Sequence, residues 1–256
     1  MKKLLLPLTV ILFGAFNLQA ATVVWSGTTN GVTAGNTNVT GDSSVINSGT
    51  LVTAIGFSDS DTTVETVNGV SFQNSGTASS LTYSGTGWSL GQVAGRDDIF
   101  LPTNGQGYST NLSNLLRDGA NLYTGSAANT PVSFTLNLSG LTVGNVYAFQ
   151  ALVLDGRTGI TTGGYGTTLT VSSGSSAPSF NLNSETGIAN SLIGTFTADQ
   201  GGQVFTFSAD GPYALPTVNA FQLRDITAVP EPSTYMMLSL LTLFFVSHFV
   251  LKRRAS

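Results

Sequence analysis

Cysteine is absent from the 256 residues, which excludes disulfide staples, thiolate nucleophiles and cysteine-bound metals. Histidine occurs once, as His248, inside an apolar run near the C-terminus. The rest of the chain therefore lacks the base of a Ser-His-Asp or Cys-His site and the ordinary ligands of a zinc centre. Charge is scarce: 9% of residues are Asp, Glu, Lys or Arg, against about 25% in an average soluble protein. Lysine occurs only near the ends, as Lys2, Lys3 and Lys252. Between Ala21 and Ala228 four arginines face twelve carboxylates, a net charge of −8. Such a surface repels phosphate backbones, so nucleic acid is excluded as a partner.

Gly, Ser, Thr and Asn take the place of the missing charges, so polarity is carried by hydroxyls and amides. The pattern in the middle of the chain has a period of two. Phe134, Leu136 and Leu138 alternate with Ser133, Thr135 and Asn137; Phe205 and Phe207 alternate with Val204, Thr206 and Ser208. Leu192, Gly194 and Phe196 alternate with Ile193, Thr195 and Thr197, and Asn219, Phe221 and Leu223 with Val218, Ala220 and Gln222. This is the pattern of half-buried strands. Asn30-Gly31, Asn68-Gly69 and Asp118-Gly119 punctuate the runs as turns. The more apolar VYAFQALVLD, Val146 to Asp155, reads as a central strand. Leu112 to Leu116 is the single helical pattern, with Asn111 or Ser113 as its cap. No repeat and no second domain is evident. The expected fold is all-β, a sandwich or jelly roll over residues 21–228.

Both ends read as addresses. Lys2 and Lys3 precede an apolar stretch from Leu4 to Phe16, with small residues at Ala20 and Ala21. This is the layout of a secretory signal peptide over 1–20, with signal peptidase cutting after Ala20. At the other end, Tyr235 to Leu251 is an uncharged run. At ~1.5 Å per residue it reaches about 26 Å, near the ~30 Å of a hydrocarbon core, so a transmembrane helix is expected. Lys252, Arg253 and Arg254 follow it and hold that end in the cytoplasm, which places the main domain on the far side. Before the helix, Pro230 and Pro232 cannot donate backbone hydrogen bonds and disfavour helix at the preceding residue, so Val229 to Ser233 is expected to be extended and accessible.

Val229-Pro230-Glu231-Pro232-Ser233-Thr234, the apolar helix and the basic cluster together resemble the PEP-CTERM sorting signal, here over 229–256. The resemblance implies recognition by exosortase, a membrane-embedded protease or transpeptidase of Gram-negative bacteria. It also implies a membrane-anchored precursor that is cut and then delivered to the cell surface or to an extracellular polysaccharide matrix. This copy departs from the family in carrying Ser247 and His248 within its helix and in ending on three basic residues. In the body, Gly140-Leu141-Thr142-Val143-Gly144-Asn145-Val146-Tyr147 resembles a corner common in bacterial surface sandwiches, in which Gly turns the chain and Tyr packs at the start of the next strand. Ile193 to Ile226 loosely resembles the closing strands of carbohydrate-binding and malectin-like jelly rolls.

Candidate chemistry in the body is limited to carboxylates and aromatics. Asp59, Asp61 and Glu65 form a candidate calcium set, although Val64 stands where an EF-hand loop needs glycine. No other cofactor is expected. Trp25, Trp88, Tyr83, Tyr123 and above all the loop residues Tyr108, Tyr165 and Tyr213 are candidates for stacking on sugar rings; core packing is the competing role, favoured for Trp25 and Tyr147. Three functions stay open: a non-enzymatic surface or matrix protein, a carbohydrate-binding module with a defined glycan, and a glycoside hydrolase built on two carboxylates.

Overall fold

The computed structural model describes residues 21–58, 63–76, 82–91, 93–96, 107–121, 132–154, 167–173, 177–182, 188–210 and 216–228. The strands in chain order are β1 (Gly27–Thr29), β2 (Val32–Asn38), β3 (Thr50–Gly56), β4 (Glu65–Val67), β5 (Val70–Asn74) and β6 (Thr82–Gly85). They continue with β7 (Trp88–Gly91), β8 (Ala94–Arg96), β9 (Gly119–Asn121), β10 (Val132–Ser139), β11 (Val146–Val153) and β12 (Thr167–Ser172). The last are β13 (Ser179–Leu182), β14 (Asn190–Thr197), β15 (Gly202–Asp210), β16 (Thr217–Val218) and β17 (Ala220–Asp225). One helix, α1 (Thr110–Arg117), precedes β9.

Two sheets lie face to face. The larger has the order β1-β2-β14-β11-β17-β3-β5-β4 and the smaller β13-β12-β15-β10-β7-β6; a short β16-β9-β8 sheet completes the set. Pairing is antiparallel except between β3 and β5. The alternation read from the sequence sets which side chains fill the space between them: Phe134, Leu136 and Leu138 from β10, Phe205 and Phe207 from β15, Phe149 from β11 and Phe221 and Leu223 from β17. Phe149 stacks on Phe205 with ring centroids 3.9 Å apart, which joins the two sheets at the centre. β11 is the central strand its composition predicts. It pairs along its length with β14, pairs with β17 on its other edge, and is buried on both faces.

The turns follow their residues. Asn30 and Gly31 both have positive φ, as do Asn68 and Gly69, the conformation a tight two-residue hairpin demands. The corner before β11 also forms as expected. Gly140 and Gly144 turn with positive φ, and Tyr147 is buried, stacks on Phe196, and accepts a hydrogen bond on its hydroxyl from Thr142 N at 2.9 Å. The helix cap differs from expectation: Ser109, not Asn111 or Ser113, accepts from Leu112 N, at 3.1 Å. The helix begins two residues earlier than its apolar pattern because Thr110 and Asn111 face outward, while Leu112, Leu115 and Leu116 pack against the large sheet.

The outer face of the large sheet is covered. Residues 42–49 strap across it, starting with a 3-10 turn at Asp42–Ser44. Below the strap lies a row of buried polar side chains. Gln150 Nε2 donates to Ser44 O and Ser191 Oγ, and Gln222 Nε2 donates to Ile46 O and Gln150 Oε1. Arg224 Nε donates to Ser48 O, and its Nη2 to Asn47 O and Gly49 O. Beside this row Asn219 is a hub between β16 and β17. Its Nδ2 donates to Leu116 O at 2.7 Å and Asp118 O at 2.8 Å, and its Oδ1 accepts from Leu154 N at 2.6 Å. Its backbone also bonds Leu152 O and Phe57 N. One residue thus ties the end of α1 to the ends of β11 and β3.

Among the described residues no helix is long and apolar enough to cross a membrane. The signal-peptide segment 1–20 and the sorting segment from Val229 onward, with its predicted membrane helix, lie outside the described residues.

Candidate functional site

Among the described residues, the outer face of the small sheet is a broad regular surface, with Ser133, Thr135, Asn137, Val204 and Ser84 exposed. The alternation that sends Phe134, Phe205 and Trp88 inward sends hydroxyls and amides outward. Strand register arranges them in rows. One row runs Ser172, Thr206, Thr135, Gly91 and Thr82 across five strands. On one side lies Thr170, Ser208 and Ser133; on the other lies Val204, Asn137, Ser89 and Ser84. Neighbouring rows are about 6.8 Å apart and neighbouring strands about 4.8 Å. These positions carry no charge and one large apolar side chain, Val204. Each hydroxyl both donates and accepts, so the face offers a repeating lattice of two-way hydrogen-bonding groups.

A second feature is a small pocket where α1 meets β3, β4 and β5. Glu65, Asp118, Asn114, Asn74, Ser58 and Thr63 line it, with Phe57 and Phe72 at its apolar side. Glu65 is 8% exposed and accepts a hydrogen bond from Asn114 Nδ2 at 3.1 Å. Asp118 lies 3.7 Å from Arg117 Nε. The pocket has room for about one water-sized group, far less than a sugar ring.

Glu65 is the described member of the candidate calcium set; Asp59 and Asp61 lie outside the described residues. Among the described residues no three His, Cys, Asp or Glu side chains come together to hold a metal.

The candidate aromatics divide. Tyr108 is half-buried against the apolar cluster under α1. Its hydroxyl donates to Val39 O at 3.0 Å and accepts from Ala189 N at 3.3 Å. Burial raises its pKa above that of an ordinary tyrosine, and the Ala189 N–H offsets part of the rise. Its role is to tie two segments of backbone together. Tyr165 and Tyr213 lie outside the described residues, as does Tyr123. Tyr83 and Trp88, candidates for sugar stacking by sequence, are core residues instead. Tyr83 donates to Ser58 O and packs edge-on to Phe57, and Trp88 packs edge-on to Phe57 and Phe221. Both fall on inward positions of β6 and β7, where the pleat turns them away from solvent. Trp25 is also core, 8% exposed and edge-on to Phe205.

The hydroxyl rows do not stand out in the sequence because Ser and Thr are frequent throughout. Their signal is that Ser, Thr and Asn hold most outward positions of four strands that pair with one another, with Val204 and Gly91 as interruptions.

No protein-family model matches the chain, and no curated protein matches it. Two solved structures are similar over part of it. One is β-glucuronidase 2 of Bacteroides uniformis, covalently bound to cyclophellitol-6-carboxylate aziridine, with a TM-score of 0.41 and 14% identity over 68% of this chain. The other is TmCBM61 in complex with β-1,4-galactotriose, with a TM-score of 0.32 and 14% identity over 54% of this chain. The chain spans 17% of the length of the glucuronidase and 88% of that of TmCBM61.

Proposed function

We propose that this chain is an exported, non-enzymatic surface or matrix protein of a Gram-negative bacterium, sorted through its C-terminal Pro-Glu-Pro signal, whose body adheres to neutral extracellular polysaccharide. The observation that carries the adhesive reading is the uncharged hydroxyl lattice on the outer face of the small sheet. A polysaccharide strand presents the same kind of group, hydroxyls that donate and accept, and many weak bonds along a flat face give adhesion without a closed pocket. The net charge of −8 between Ala21 and Ala228 disfavours anionic polymers and so favours a neutral one. For a module specific for one glycan, Tyr108 is unsuited as a stacking residue because it is committed to the backbone of Val39 and Ala189, while Tyr165 and Tyr213 lie outside the described residues. A hydrolase at Glu65 and Asp118 would need space that their pocket lacks.

Retention on immobilised neutral polysaccharides tests the adhesive reading. Thr135→Glu and Thr206→Glu together put two carboxylates into the centre of the lattice. Retention should fall at least tenfold while melting temperature stays within a few degrees, because both positions face outward. Unchanged retention in that variant, or equal loss in Tyr108→Phe, would remove the sheet face from the account. The sorting reading is tested by mass spectrometry of the protein from hosts with and without exosortase. Intact tails in both would reduce the C-terminal segment to a plain anchor.

A further inference from the structure

The inter-sheet core contains one carboxamide in a line of apolar side chains. Gln203 is the first inward residue of β15, followed at alternate positions by Phe205, Phe207 and Ala209, and it is 1% exposed. Its Nε2 uses both hydrogens, one on Ala21 O at 2.8 Å and one on Ser173 Oγ at 2.5 Å. Ser173 sends its own hydrogen to Val204 O. Neither Ala21 O nor Ser173 Oγ can therefore donate in return, which fixes the orientation of the carboxamide. Gln203 Oε1 is left buried without a hydrogen-bond partner. A buried acceptor left unmet is costly, and its persistence calls for a donor.

The segment that reaches Gln203 is built into the fold. Ala21, Val23 and Trp25 point into the core, and Val24 exchanges two backbone hydrogen bonds with Thr195. Gly194 keeps their seat open: a Cβ there would lie 2.5 Å from Val23 Cγ1 and 2.7 Å from the Trp25 ring. The body thus grips the chain from Ala21 onward, the residue that follows the expected signal-peptidase cut. The nitrogen and oxygen of one residue lie only about 3 Å apart. With Ala21 O 2.8 Å from Gln203 Nε2, the Ala21 nitrogen lies within about 6 Å of that atom, and among the described residues it has no hydrogen-bond partner.

We propose that Gln203 is the receptor for the mature N-terminus. Signal peptidase hydrolyses the Ala20–Ala21 peptide: the C–N bond breaks, the oxygen of water joins the Ala20 carbonyl carbon, and the amine left on Ala21 takes up a proton. That ammonium donates to Gln203 Oε1. Before the cut the Ala21 nitrogen carries one hydrogen in a direction fixed by the peptide plane; afterwards it carries three on a group that rotates. Removal of residue 20 also opens the side from which water can solvate the remaining hydrogens. Cleavage therefore completes the hydrogen bonding of the core, and export and final stability are coupled through one side chain. The inference rests on the export reading.

The test compares three forms of the chain in the same detergent: residues 21–256 with a free Ala21 amine, the same chain acetylated at Ala21, and the same chain with a Gly-Ser extension. Each is made with Gln203 and with Gln203→Met. The free-amine form should melt about 3 °C or more above the other two, and the advantage should vanish in Gln203→Met. Equal melting of the three forms, or an advantage that survives Gln203→Met, would overturn the proposal. N-terminal sequencing of the exported protein stands apart from this: a start other than Ala21 defeats the export reading at that bond, whatever the melting data give.

Discussion

Replacing Asn219 by Asp changes one NH2 group to oxygen at the centre of the tertiary hydrogen bonding. The perturbation is nearly isosteric, so packing is unchanged. Two donor bonds disappear, to Leu116 O and Asp118 O, and an oxygen is brought against both carbonyls. Each lost bond between buried groups costs about 1–3 kcal/mol once its partner is left unmet, and the buried charge adds to this. The expected loss is about 3–5 kcal/mol at pH 7, or roughly 6–20 °C in Tm for a domain of this size. Urea unfolding followed by tryptophan fluorescence measures it. The direction with pH is the sharper check. Burial and the facing carbonyls raise the pKa of the introduced carboxyl above its unfolded value of about 3.9. The deficit should therefore shrink as pH falls towards that value, because the protonated acid again donates. Asn219→Ala should show no such recovery. A loss below 1 kcal/mol, or a deficit that grows on acidification relative to Asn219→Ala, would refute the view that this residue ties α1 to β11 and β3.

Tyr147→Phe strands the Thr142 N–H at the corner and should cost about 1–2 kcal/mol in thermal unfolding, with the ring stack on Phe196 kept. Gly194→Ala drives a methyl group into Val23 and Trp25 and should lower stability by about 1–3 kcal/mol, with hydrogen exchange increased in residues 21–25. For Asp225, burial raises the carboxyl, but hydrogen bonds from Thr227 and Asn145 outweigh it and hold the pKa below the ordinary carboxylate range. Its contribution is present above about pH 3.9 and is lost as pH falls through the depressed value. Asp225→Asn should flatten the acid limb of the stability curve by lowering stability at neutral pH while leaving the acid end little changed, as read by melting at stepped pH.

What the sequence made legible was whatever depends on neighbours in the chain. Asn30-Gly31 and Asn68-Gly69 turn because two successive positive φ angles suit those residues. Phe134, Leu136 and Leu138 face inward because a strand has period two. Tyr147 closes a corner only five residues from its partner. What stayed hidden depends on partners far along the chain. Gln150, Gln222 and Arg224 look like surface residues until the strap at 42–49 covers them, more than a hundred residues away in sequence. Asn219 and Gln203 resemble every other amide in a chain rich in amides. Trp88 and Tyr83 read as ligand aromatics in the sequence because inward and outward positions of a four-residue strand cannot be told apart without the opposite sheet.

The strap has one more consequence. Among the described residues, the strap held by Arg224 and its glutamine neighbours closes part of one outer face and leaves the other sheet face open. If that open face adheres to polysaccharide as proposed, a single copy would coat a fibre rather than stitch two fibres together. Any mesh it reinforces must be joined by molecules standing back to back or by links made elsewhere in the chain, so viscosity should rise with coverage without the abrupt gelation that a two-handed linker produces.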